Sequence, residues 1–157
     1  MSGMKLTAIA FTAFLVFASV AVPGEFQIGP YCDNETPAPD ECVTELVTGW
    51  EHRDGEAFWK FGSALSNSFC VHPKAVLTAL SVDPADLESW VDRLSDHTFT
   101  VFDHADSQFG VDATEHLADL KTCMIERATI LVDDVEVGIA AKELLDELKT
   151  IEVRYID

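Results

Sequence analysis

Cys32, Cys42, Cys70 and Cys123 all follow an uncharged apolar run, "LTAIAFTAFLVFASVAV", over residues 6–22, and this arrangement limits what the chain can become. Lys5 stands before the run, and Ser19 and Ala21 form a small-x-small pattern ahead of Pro23-Gly24. Together they read as an export signal, cut after Ala21, because a signal-peptidase pocket rejects larger side chains at those two positions. The run falls slightly short of the ~20 apolar residues that a spanning helix needs. Cleavage, with no stable membrane association afterwards, is therefore expected. An exported chain, periplasmic or extracellular, keeps an even cysteine count oxidised, so two disulfides are expected. No Cys-x-x-Cys pair signals a zinc knuckle or a redox motif.

Residues 1–21 are thus assigned to a cleaved signal peptide and 22–40 to a proline-rich, cysteine-containing arm. Residues 41–157 are assigned to a single helical domain, a length that supports one hydrophobic core. Within it Val43, Leu46, Val47 and Trp50 recur at helical spacing, with Asp40 placed to cap a helix over 41–53. Asp54-Gly55 breaks that pattern. Phe58, Phe61, Leu65 and Phe69 then form a second stripe, giving an αα-hairpin with a very short turn.

Pro73 and Pro84 each suit a first helical position, where the missing N–H costs nothing, and Asp83 suits the cap before Pro84. Val76, Leu77 and Leu80 line one of these helices; Leu87, Trp90, Val91 and Leu94 line the next. "HTFTVF" alternates threonine with apolar residues and is expected to be a short strand or extended segment. Asp112 and Glu115 fit a capping box opening a helix of about 18 residues, through Leu117, Leu120, Met124, Ala128 and Leu131. Ala140, Ala141, Leu144, Leu145 and Leu148 make the last helix, before an alternating tail, "IEVRYID".

The fold class expected is all-α: about six helices in an irregular bundle or a short stack of αα-hairpins, with at most one minor two-stranded element. The bundle is preferred because no sequence period at the length of a stacked repeat is present. The helix assignment also orders the disulfide pairings. Antiparallel neighbours over 41–53 and 55–69 bring the start of the first beside the end of the second, which favours Cys42–Cys70 and leaves Cys32 to Cys123. Second in order comes Cys32–Cys42 with Cys70–Cys123.

The formal charge of −18 repels nucleic acid phosphate and anionic lipid head groups, because binding either relies on Lys and Arg. Nucleic acid is excluded as a partner on that ground. The acidic stretch "DHADSQFGVDATEH" raises a calcium loop, but His104 falls where a carboxylate is required and Gly110 sits one position late for the turn. A metal site there would draw on His104, Asp106, Asp112, Glu115 and His116, taking calcium or zinc; the plainer expectation is a solvated acidic loop and no cofactor. His72, two residues beyond Cys70, reads as a residue preceding a helix in preference to half of a thiolate–imidazole pair. His52 and His97 read as surface residues. "NET" at Asn34 is a glycosylation acceptor by pattern.

No nucleophile elbow, phosphate-binding glycine loop or zinc-protease motif occurs, and no catalytic residue is assigned. The expected function is an exported, disulfide-stabilised interaction module of the inhibitor, immunity or adaptor kind, with another protein as partner. The alternative is a metal- or small-ligand-binding protein using loop 103–116. Trp59, one residue off the Phe58–Phe61–Leu65 stripe, is the candidate interface anchor.

Overall fold

The computed structural model describes residues 31–102 and 110–156. The expected signal peptide and residues 103–109, including His104 and Asp106, lie outside them. Seven helices are described: α1 (Pro39–Glu51), α2 (Glu56–Val71), α3 (Pro73–Leu80), α4 (Pro84–Asp92), α5 (Leu94–His97), α6 (Gly110–Leu131) and α7 (Gly138–Thr150). Strands β1 (Thr100–Phe102) and β2 (Arg154–Ile156) pair in parallel, Thr100 opposite Arg154. The all-α class is as expected, as is the single small sheet among the described residues. The strands run parallel because α6 and α7 lie between them in sequence, a crossover long enough to return the chain in the same direction.

Each helix starts and stops for a local reason. Gly55 adopts φ +52 between α1 and α2, a conformation costly for any residue with a Cβ, so the hairpin turn needs glycine. Pro73 and Pro84 open α3 and α4, and the Asp83 side chain accepts from the Ala85 N–H. Helix α1 runs over 39–51 where 41–53 was expected. Pro39 takes the first turn and Ala38 the cap position, so Asp40 is a first-turn residue favoured by the helix dipole instead of a cap. Likewise α6 begins at Gly110, which places Asp112 inside the helix and not at the cap position expected for it. An acidic residue is also welcome in the first turn, so the helix extends past it.

The apolar stripes close one core. Val43, Leu46, Val47 and Trp50 of α1 are buried, as are Phe58, Leu65 and Phe69 of α2, while Phe61 is half-buried. Helix α2 packs against α1, α3, α5 and α6, and α4 reaches α7. Contacts between elements so distant in sequence make this a bundle around α2, since a stack of hairpins would touch only its neighbours.

Both disulfides are present, with Cα–Cα separations of 5.9 Å, but they join Cys32 to Cys42 and Cys70 to Cys123. The expected Cys42–Cys70 and Cys32–Cys123 pairing is corrected. The α1–α2 hairpin does form; it fixes the level of Cys42 and Cys70 along the helices but not the direction each faces. Cys70 turns toward α6, its Sγ 3.9 Å from the Leu120 carbonyl. A bend at Asp33–Thr36 brings the first turn of α1 back to Cys32, whose N–H donates to Ser68 Oγ at 2.9 Å. His72 precedes α3 as expected, and its Nε2 bonds the Asp33 carbonyl at 2.8 Å, pinning the same arm.

Candidate functional site

The first turn of α2 presents Trp59 at the surface, 39% exposed, as its position off the apolar stripe leads one to expect. Phe58, immediately before it, points inward. The two rings meet edge to face, centroids 5.2 Å apart. The Arg93 guanidinium, at the end of α4, lies 4.1 Å over the Phe58 ring. Trp59 and Arg93 therefore flank one buried phenyl group, an aromatic and a cation of the kinds that concentrate binding energy at interfaces.

Beneath Phe58 lies a closed aromatic box. Trp50 of α1 is 5.6 Å from Phe58, and His97 of α5 is 5.2 Å from Trp50, 5.4 Å from Phe58 and 6.4 Å from Trp90, which stacks on it. His97 is only 4% exposed, so its expected place at the surface is corrected. Gly62 makes room for the ring: a Cβ there would stand 2.5 Å from His97 Cγ.

The polar atoms in the box determine the imidazole's tautomer. Nε2 lies 3.0 Å from the Trp90 carbonyl, which only accepts, so Nε2 carries hydrogen. In the neutral ring Nδ1 is then an acceptor, and Thr98 Oγ1 donates to it at 2.7 Å. Having spent its hydrogen, Thr98 accepts from Ser66 Oγ at 2.8 Å. Trp90 Nε1 donates to the Gly62 carbonyl at 3.3 Å. Burial pushes the imidazole down to about 4, with Arg93 adding to the effect and the Trp90 hydrogen bond and Asp96 opposing it.

A second polar knot sits beside Trp50. Arg53 donates to Asp86 Oδ1 at 2.8 Å and to the Trp50 carbonyl at 3.1 Å, and its guanidinium lies 5.1 Å from the Trp50 ring. Trp50 Nε1 donates to the Asp86 carbonyl at 3.2 Å, so α1 and α4 are tied at one point. Asp86 is buried although nothing in its sequence context marks it.

The remaining sequence candidates are dispersed. Glu115 and His116 are exposed on α6, and His104 and Asp106 lie outside the described residues. Among the described residues no group of three His, Cys, Asp or Glu side chains is placed to hold a metal ion. Cys70 is engaged in its disulfide and His72 in the arm, so they make no nucleophilic pair. His52 is exposed, as expected.

An open groove of about 600 Å³ runs between α1 and α3, lined by Asp40, Thr44, Lys74, Ala75, Thr78, Ala79 and Val82. The Lys74 ammonium bonds Glu136 and Asp134, which hold it above the usual lysine range. Its charge is thus met within the fold, and the groove offers a ligand little polar purchase. Comparison of the chain with protein-family models, curated proteins and solved structures finds no match.

Proposed function

We propose that the protein is an exported, disulfide-stabilised helical interaction module of the inhibitor, immunity or adaptor kind, acting in the periplasm or outside the cell by surface complementarity with another protein. Trp59 anchors that surface. The observation that carries this reading is the pairing of a surface tryptophan with Arg93 across the buried Phe58 ring: the supporting ring is immobilised, so little conformational entropy is lost when a partner covers the pair. The two disulfides suit an oxidising compartment, and among the described residues no helix is long and apolar enough to cross a membrane.

The test is a pull-down from the native periplasm or medium with the mature wild-type chain and a Trp59→Ala variant matched for helical content. The reading expects a protein retained by wild type and lost with the variant. Equal retention by both, or none by either, overturns it. Isothermal titration with calcium and zinc tests the metal-binding alternative separately.

A further inference from the structure

Helix α5 is one turn long, yet three parts of the molecule depend on it. His97 inserts from it into the aromatic box. Thr98, the next residue, bonds Ser66 of α2. On the outer side, Arg154 of β2 donates to Asp96 Oδ1 at 2.9 Å and to Ser95 Oγ at 3.1 Å, while Thr100 of β1 donates to the Ser95 carbonyl at 2.6 Å. The Arg154 N–H also bonds the Phe99 carbonyl at 2.9 Å. The C-terminal strand is thus tied to residues 95–102, and these are held in turn by the His97 ring, by the Thr98–Ser66 bond and by the buried side chains of Phe99 and Val101, while Ile151 and Val153 pack on the core just before the strand.

We propose that His97 is the pin of an acid-operated latch: when its ring takes a proton from water, α5 leaves the aromatic box and the paired strands β1 and β2 come free of the bundle. The hydrogen bonds do not resist the added proton. Nδ1–H can donate to Thr98, Thr98 to Ser66, and Ser66 to the Gly62 carbonyl 3.1 Å away, so the chain of donors reverses without leaving one unpaired. What the closed state cannot accommodate is the charge, removed from water among Trp50, Phe58 and Trp90.

The charged groups around the box do not compensate. Arg93, over Phe58, opposes the cation. From the turn between α1 and α2, Arg53 adds a second positive charge, already committed to Asp86 of α4. Asp96 favours the cation but is shared with Arg154 of β2 and Arg93. Helix α2 faces the ring with Phe58, Gly62 and, through Thr98, Ser66, none of which titrates in this range. Opening gives the imidazolium to water, and the elements that leave with it are those that α5 holds.

Amide hydrogen exchange on the mature chain, corrected for the intrinsic pH dependence of exchange, tests this. With the ring near its ordinary value once open, linkage gives roughly a 100-fold rise in the opening equilibrium of residues 100–102 and 154–156 between pH 7 and pH 4. Protection in α1–α3 should persist. His97→Gln should abolish the rise. Asp96→Asn, which removes the Arg154 partner and leaves the imidazole, should raise the starting level and keep the pH dependence. Unchanged protection in the strands at pH 4 overturns the proposal, as does simultaneous loss throughout the bundle. It is also overturned by the same rise in His97→Gln, or by a pH dependence that vanishes in Asp96→Asn.

Discussion

Thr98 Oγ1 donates to Nδ1 of His97 across 2.7 Å, and this bond, with the Trp90 carbonyl on the opposite nitrogen, fixes one tautomer of an imidazole that burial keeps neutral. An ionisable group in that position links stability to pH with a definite sign. Its folded value, about 4, lies below the ordinary 6.5, so the unfolded chain binds more protons between them. The stabilisation is complete above pH 6.5 and is lost as pH falls toward 4. Its size is on the order of 3 kcal/mol, from the free energy of one pKa unit. Urea unfolding of wild type and His97→Gln at pH 7 and pH 4 should show wild type losing more than the variant by about that amount. An equal loss in both would place the pH dependence elsewhere.

Gly62→Ala should destabilise the protein although alanine is the better helix former by roughly 1 kcal/mol. The new methyl group would stand 2.5 Å from a buried ring whose two nitrogens are both bonded, and overpacking of this kind costs about 1–3 kcal/mol. Gly49→Ala is the comparison. It also meets a ring, Phe61, but Phe61 is half-buried and can swing outward. Thermal unfolding should rank Gly62→Ala well below Gly49→Ala; the reverse order would contradict the rigidity assigned to His97.

What could be read from the sequence follows the reach of each signal. Pro73, Pro84 and Asp83 fix helix starts through backbone chemistry within a few residues, and the structure places all three as read. The stripes of α1, α6 and α7 are legible for a similar reason, since 3.6-residue periodicity is local. The burial of His97 is not. "SDHT" looks like a solvated turn, and what admits the ring is the absence of a side chain at Gly62, thirty-five positions earlier. Asp86 is hidden in the same way, by a partner, Arg53, in the turn between α1 and α2, thirty-three positions earlier. Cys42 and Cys70 show the intermediate case. Their shared end of the hairpin follows from sequence, but the faces they present depend on where the arm and α6 pack.

The two disulfides should contribute unequally. On a chain-entropy model, closing a sequence separation of 53 residues stabilises by about 4 kcal/mol and one of 10 residues by about 2.7 kcal/mol. Replacing Cys70 and Cys123 by alanine should therefore lower the unfolding temperature more than replacing Cys32 and Cys42. The opposite order would mean that the arm's anchorage through Ser68 and His72 carries more of the fold than loop closure does.

The most direct test of an exported, oxidised helical module is to recover the protein from outside the cytoplasm, sequence its N-terminus and map its cysteine peptides without reduction. The expected result is a chain beginning near Val22, with one linked pair containing Cys32 and Cys42 and another containing Cys70 and Cys123. An intact Met1 on cytoplasmic protein, four free thiols, or a fragment joining Cys42 to Cys70 would contradict it.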